Sequence, residues 1–257
     1  MTDAAPQTDA ALARRIADTA GELLLALQRS ELFDGKALGK VGDRVANAFI
    51  MEALARNRPG DAVLSEEEAA DPARLRRERV WIVDPLDGTR EYGERRTDWA
   101  VHVALAVDGV ATVGAVAMPG VPTTLCTERP TSIPPVGDGA LRMVVSRTRP
   151  AAEAVAVADK LGAELLPMGS AGAKTMAVVT GEADIYLHSG GQYEWDSCAP
   201  VAVALAAGLH ASRIDGSPLI YNRENPYLPD LLVCREEHAA KVLRLIADLA
   251  GTVATTA

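Results

Sequence analysis

The sequence predicts a layered α/β protein, with an α+β first half and an α/β second half. Three observations carry this expectation. Two helical runs with apolar spacing open the chain, two apolar runs are joined by Asp108-Gly109, and strand-like and helix-like segments alternate beyond residue 140. With 257 residues, 48% of them hydrophobic, the chain can bury a sizeable core. Residues 1–257 read as a single domain, with halves over about 9–135 and 140–250. The seam falls in the stretch 128–139, rich in Pro, Gly, Thr and Ser.

The elements follow in order. Residues 1–8 read as a loose tail. From Asp9 to about Arg29, Leu12, Ile16, Ala20, Leu23, Leu24 and Leu27 recur at helical spacing. A second helix is expected from Asp43 to about Asn57, with Val45, Phe49, Ile50 and Leu54 inward, stopped by Pro59-Gly60-Asp61. Ala62-Val63-Leu64 is a short strand leading into Ser65-Glu66-Glu67-Glu68. Val80–Asp84 is a buried strand by its β-branched, apolar run. Trp99–Val107 and Val110–Met118 flank Asp108-Gly109, a strong hairpin signal. The second half reads as strand 142–146, helix 150–161, strand 164–167, helix 170–180, strand 183–188, helix 196–207, strand 230–234 and helix 236–249.

Composition excludes several function classes. The formal charge is −9, and no basic face of the kind that displaces counterions from a nucleic-acid backbone is visible. The nearest basic run, Arg74, Arg76, Arg77 and Arg79, reads as a solvated helix end. Three cysteines without metal-type spacing fit a reducing cytoplasm. No apolar run is long enough to span a membrane or resembles a signal peptide.

The strongest chemical signal is Asp84-Pro85-Leu86-Asp87-Gly88-Thr89, directly after a buried strand. Pro85 stiffens the turn and Gly88 permits close backbone approach. Two carboxylates three residues apart on a tight turn, with the Leu86 carbonyl between them, offer hard oxygen donors suited to Mg²⁺. A surface β-turn is the plain alternative. Leu86 breaks both the Asp-x-Asp-x-Thr pattern of haloacid-dehalogenase-type phosphatases and the ligand pattern of an EF-hand loop. Four further elements are ambiguous alone. Ser65-Glu66-Glu67-Glu68 and the helix starts at Asp43 and Asp196 have ordinary capping explanations. Gly169-Ser170-Ala171-Gly172-Ala173-Lys174 opens a helix with small residues, as a phosphate-binding or merely a close-packed helix would.

Together these elements, from Asp43 through Ser-Glu-Glu, Asp-Pro-Leu-Asp-Gly-Thr and Gly-Ser-Ala to Trp195-Asp196-Ser197, resemble the inositol-monophosphatase superfamily, and they span most of the chain. The segments RPGDAVLSEE, VWIVDPLDGTREY, DWAVHVAL, GSAGAKTMAV, GGQYEWDSCAP and DGSPLIYNRENPYLPDLLVC look most like its CysQ-type 3′-phosphoadenosine 5′-phosphate (PAP) phosphatase branch. The resemblance implies the sugar-phosphatase αβαβα fold. It also implies Mg²⁺, two or three ions per active site, held by Glu66, Asp84, the Leu86 carbonyl, Asp87 and Asp196. Glu67 would stand behind these ligands, and Gly88 and Thr89 would face the scissile phosphate. Asp43 with Thr89 would hold or deprotonate the attacking water, and Ser170 and Lys174 would line the nucleotide side. His188, close by, reads as a satisfied core or rim histidine. Lys40 stands where the family often has Thr, a departure that bears on water activation.

The implied activity is release of the 3′-phosphate of PAP, giving AMP in a clean-up step of sulfate assimilation, with lithium sensitivity. The implied partner is a small phosphorylated substrate; neither a nucleic-acid polymer nor a membrane is implied, and a homodimer is compatible with kinship. Inositol monophosphatase or fructose-1,6-bisphosphatase activity on the same metal site is the enzyme alternative, and a non-catalytic metal-dependent nucleotide sensor is the alternative of another class. The 213–230 segment with Ser170 and Lys174 would have to form the adenosine pocket that separates the substrates. If four acids converge at ~5 Å, each like-charge pair costs about 3 kcal/mol at an effective dielectric of about 20. Six pairs then exceed the ~5–15 kcal/mol stability of a typical domain. Such a cluster must hold cations, take up protons or splay apart.

Overall fold

The computed structural model describes residues 7–135, 137 and 139–255. The first half comprises α1 (Asp9–Ser30), α2 (Gly35–Asn57), β1 (Ala62–Ser65), β2 (Arg79–Asp87), α3 (Thr89–Gly93), β3 (Ala100–Val107), β4 (Val110–Met118) and β5 (Thr123–Cys126). The second comprises β6 (Arg142–Ser146), α4 (Ala152–Leu161), β7 (Glu164–Met168), α5 (Ala171–Val179), β8 (Ile185–Ser189), α6 (Glu194–Ala206), β9 (His210–Ser212), β10 (Asp230–Cys234) and α7 (Glu236–Thr255). Strands β1 to β5 form one sheet in chain order, and the second sheet runs β7-β6-β8-β10-β9.

Strand alternation sorts the core into layers. On β2, Trp81 and Val83 turn to α1 and α2, while Val80 and Ile82 turn to the opposite face, where α5 and α6 lie. The far face of the second sheet packs Met143, Val145, Ile185, Leu187 and Leu232 against α4 and α7. The layers are thus helix, sheet, helix, sheet, helix, as the αβαβα expectation required. The Asp108-Gly109 hairpin forms as read: both residues have positive φ (49° and 77°), the geometry a two-residue turn needs to match strand twist. No described helix is long and apolar enough to cross a membrane.

Several expectations are corrected. Residues 1–6 of the expected tail, and 136 and 138 of the seam, lie outside the described residues. Thr8 is no tail residue, because its side chain caps α1 by accepting from the Ala11 N–H. Helix α2 starts at Gly35, eight residues before the expected Asp43, so Asp43 sits mid-helix. Its glycines are used for approach: a Cβ on Gly39 would stand 2.6 Å from Thr89 Cγ2, and one on Gly42 would stand 2.8 Å from the Tyr92 ring. Arg74 is buried rather than solvated, donating to the Asn222 side chain (2.6 Å) and the Arg223 carbonyl (2.8 Å). Strand β5, helix α3 and strand β9 had no signal strong enough to be read.

Helix α6 crosses the first sheet where β4 carries Gly114. A Cβ there would lie 2.5 Å from the Ala199 carbonyl oxygen and 2.9 Å from Ala202 Cβ. Because that obstruction is backbone, Gly114→Ala is expected to cost about 1–3 kcal/mol, lowering the melting temperature by roughly 2–10 °C. Thermal unfolding checks this, and an unchanged midpoint would show that α6 can lift off the sheet freely.

Candidate active site

The site is assembled at the end of β2. Parallel pairing sets Ser65 beside Val83, and the Glu66 N–H donates to the Val83 carbonyl (3.2 Å), so the acidic turn after β1 lies next to Asp84. On the other side β3 runs antiparallel, pairing Asp84 with His102 and Asp87 with Ala100. Three steps on β2 against two on β3 make a bulge, and Asp84-Pro85-Leu86-Asp87 is its cause. Pro85 has no N–H for the ladder, and the Leu86 N–H turns back to Asp84 Oδ1 at 3.0 Å. Both aspartates thereby point out of the sheet edge into one volume.

Asp84, Asp87 and Asp196 each offer an oxygen, and these lie within 4.8 Å of one another. Asp196 is the third residue of α6: it stands in the first turn, behind the cap residue Tyr193, whose N–H it accepts at 2.7 Å. That corrects its reading as an N-cap. Glu66 meets the Asp84 carboxyl from the β1 side. Asp43 reaches in from α2, its Oδ1 being 3.4 Å from the Thr89 hydroxyl, which also stands 3.1 Å from the Leu86 carbonyl. Gly88, at φ 88°, makes the turn from β2 into α3 that places Thr89 there.

Electrostatics record how crowded this volume is. Burial, then the neighbouring Glu66 and Asp87 charges, hold the Asp84 carboxyl well above its ordinary value. Burial first, and neighbouring carboxylates next, push Asp43 and Asp196 up to about 7. Glu66 is also raised to about 7, by burial of its carboxyl and the charges of Asp87, Asp43 and Glu67, although its hydrogen bond to Asp84 acts the other way. Asp87 is the exception. Burial raises it, but His102, Lys174 and the Ser170 hydroxyl outweigh that and keep it ionised. The five acids outnumber the two cationic side chains that act on them, His102 and Lys174, and a group of all-oxygen donors with surplus negative charge fits a hard divalent ion. Lys174 acts through its charge alone, since its ammonium donates to the Ser170 and Gly169 carbonyls at 2.6 and 3.2 Å.

Other predicted residues find defined places. Glu67 is exposed at the rim, its charge felt by Asp43 and Glu66. The Ser170 hydroxyl donates to Asp87 Oδ2 at 2.5 Å and accepts from the Ala173 N–H at 2.9 Å, while the residue itself takes an unusual φ of 49°. Its polar end is therefore committed to the acid cluster, although Ser170 and Lys174 both border the cavity. His188 behaves as a rim histidine, with Nε2 2.8 Å from the Gly190 carbonyl.

A cavity of about 950 Å³ opens from Asp87, Gly88, Thr89 and Asp196. Its far wall is the 146–152 loop, including Arg147 and Arg149, together with 188–192. The 213–230 segment, expected in this wall, is absent from it among the described residues. Buried Glu194 accepts the backbone N–H groups of Asn222 (2.6 Å) and Arg223 (2.7 Å), and Arg74 holds Asn222, while Leu228 and Pro229 are hydrogen-bonded to the backbone of Gln192 (2.9 Å) and Gly190 (2.6 Å), so the segment adjoins the 188–192 wall without lining the cavity. Three residues of the site escaped the sequence reading. Asn47 ties the acidic turn to α2 by donating to Glu68 (2.7 Å) and accepting from Ser65 (2.8 Å). Its signal was its place one turn after Asp43. Arg149 was readable only as part of a loop, and His102 only as an oddity in an apolar strand.

The inositol monophosphatase family matches residues 6–249. A 3′-phosphoadenosine 5′-phosphate phosphatase of Mycobacterium leprae is 50% identical over 256 residues, covering 94% of each chain. The 3′(2′),5′-bisphosphate nucleotidase CysQ of Escherichia coli K12 is 30% identical over 203 residues, covering 72% of this chain and 80% of the other. Among solved structures, CysQ from Bacteroides thetaiotaomicron superposes with a TM-score of 0.77 at 27% identity, over 90% of this chain and 98% of that one. With its layers, its acid cluster and these likenesses in agreement, the chain belongs to the inositol monophosphatase family.

Proposed function

We propose that the chain hydrolyses the 3′-phosphate of PAP, giving AMP and phosphate, with Mg²⁺ held by Glu66, Asp84, the Leu86 carbonyl, Asp87 and Asp196, two or three ions to a site. The observation that carries the reading is the acid cluster at one end of a cavity whose other end is basic. The 50% identity to a PAP phosphatase over nearly the whole chain supports the same substrate. Bound divalent ions would supply charge neutralisation on the phosphate and acidification of water.

The chain's own residues do the rest. A water oxygen forms the new P–O bond as the 3′-oxygen bond breaks, and the leaving oxygen takes up a proton. Asp43 and Thr89 handle the water. The Thr89 hydroxyl has one proton and two acceptors in reach, Leu86 O and Asp43 Oδ1. Donating to Asp43 leaves its own lone pair for the water's proton and frees the Leu86 carbonyl. At about 7, Asp43 is matched to proton transfer near neutral pH. The 146–152 loop orients the remainder of the substrate. Arg147 is already engaged by Glu91 (2.8 Å) and Glu94 (2.6 Å), whereas Arg149 has no carboxylate partner among the described residues and suits the second phosphate. No polymeric or membrane partner is invoked, and the reaction is placed in the cytoplasm.

Phosphate release from PAP, inositol 1-phosphate and fructose 1,6-bisphosphate, measured side by side at varied Mg²⁺, tests the reading. The expected kcat/KM for PAP is higher by at least about 10²-fold, as one charge-assisted pair and its desolvation allow. A preference for either of the other two substrates would sink the assignment and leave the metal site standing.

A further inference from the structure

Asp87 is bound by protein more fully than the other acids. Its Oδ2 accepts from the Ser170 hydroxyl (2.5 Å) and the Gly172 N–H (2.7 Å), and His102 Nε2 stands 3.3 Å from the same oxygen. His102 is 0% exposed. Its other nitrogen, Nδ1, lies 3.0 Å from the Trp195 carbonyl. A carbonyl only accepts, so Nδ1 is the donor there, and a carboxylate only accepts, so Nε2 also faces Asp87 as a donor. Nε2 nevertheless has no aligned hydrogen bond: it is a buried polar atom aimed at one carboxylate.

The surroundings are shaped for this. A Cβ on residue 172 would stand 2.1 Å from His102 Nε2, so glycine there is what lets the ring reach Asp87. Trp195 directly precedes Asp196 in the first turn of α6. One imidazole on β3 thus joins the Asp87 side chain to the backbone that carries Asp196. An apolar side chain of similar volume would fill the space equally well but would make neither link.

We infer that His102 is a positioning residue for the cation site. With Ser170 and Gly172 it occupies Asp87 Oδ2, leaving Oδ1 as the oxygen available to a cation, and through Trp195 it sets Asp196 against Asp87. The inference rests on the proposed reading of Asp87 and Asp196 as ligands.

The test is Mg²⁺ binding by isothermal titration calorimetry without substrate, on wild type, His102→Gln and His102→Leu, with melting temperatures in EDTA as the folding control. Glutamine keeps a donor within reach of Asp87, and leucine keeps volume alone. The leucine variant is expected to bind Mg²⁺ about 10–100-fold more weakly, the usual loss when a ligand's supporting partner is removed. Glutamine is expected to recover most of that loss, and kcat for PAP in the leucine variant to recover at high Mg²⁺. Should the leucine variant not fold, Gly172→Ala, which drives the ring off Asp87, is expected to weaken Mg²⁺ in the same way. Wild-type affinity in the leucine or alanine variant, or equal weakening by glutamine and leucine, overturns the inference alone. A wild-type protein that binds no Mg²⁺ overturns the proposed function, and this inference with it.

Discussion

Asp84→Asn is expected to reduce kcat/KM for PAP by at least about 10³-fold, because a carboxylate that would hold the proposed divalent ion supplies several kcal/mol of charge stabilisation. The fold should survive. Asp84 is 2% exposed, and its one backbone hydrogen bond is accepted from the Leu86 N–H by Oδ1. An asparagine carbonyl accepts that bond equally well, so the turn after β2 keeps its shape. The amide nitrogen would then face the Glu66 carboxyl as a donor, where two acids now meet. Without metal, the variant should therefore unfold at or above the wild-type temperature while being almost inactive. Steady-state phosphate release and thermal unfolding in EDTA check the two halves separately. Near-normal turnover would show that Asp84 holds no cation. Lost activity with a large drop in midpoint would place Asp84 in the fold rather than in the chemistry.

The parts of the molecule legible in the sequence are those where local chemistry and tertiary structure agree. Asp108-Gly109 specifies its turn through backbone conformation alone. Val80–Asp84 is central in the sheet, so both faces are apolar and the run is unmistakable. The acidic residues were identified by motif, and the structure brings Asp84, Asp87 and Asp196 together. What could not be read are features in which a distant partner overrides local preference. Gly39 and Gly42 look like helix breakers, yet α2 runs through them because α3 and β2 pack against the bare backbone. Arg74 belongs to a charged run and is buried all the same, since Asn222 and Arg223 come to it from 148 and 149 residues away. His102 is one residue in an alternating apolar strand, and its meaning lies in a pairing register with Asp84 that no turn between the strands announces. The 213–230 segment supports the cavity's 188–192 wall instead of lining the cavity, because Glu194, Gln192 and Gly190 hold its backbone from behind that wall.

In the absence of divalent cations, stability is expected to fall as pH rises from 5 to 8, the reverse of ordinary acid denaturation. Asp43, Asp196 and Glu66 sit at about 7 in the folded protein, against 3.8, 3.8 and 4.5 for the unfolded chain, and Asp84 lies higher still. Between those limits the folded state holds protons that the unfolded chain has released, so stability declines with each of them. His102, raised above 6.5 in balance because Asp87 outweighs its burial, adds to the same slope. Asp87 is held low, and its contribution is complete by pH 5 and flat beyond. Glu194, raised by burial, adds to the slope, while His188 below its ordinary 6.5 and Lys174, both pushed down by burial, oppose it. Discounted for screening at Glu66, a surface residue whose carboxyl is turned into the crowded volume, and for coupling among the acids, the loss is on the order of 2 kcal/mol, or roughly 5 °C in melting temperature. Cation binding needs the same carboxylates ionised and releases their protons, so stabilisation by Mg²⁺ should grow over the interval in which the metal-free protein weakens. Unfolding curves at pH 5, 6, 7 and 8, in EDTA and in millimolar Mg²⁺, measure both trends. The Asp84→Asn variant should show a shallower slope in EDTA and little response to Mg²⁺. A metal-free midpoint that stays level or climbs from pH 5 to 8 would mean that these side chains stand apart in solution, and the carboxylate cradle would then lack the crowding that makes it a cation site.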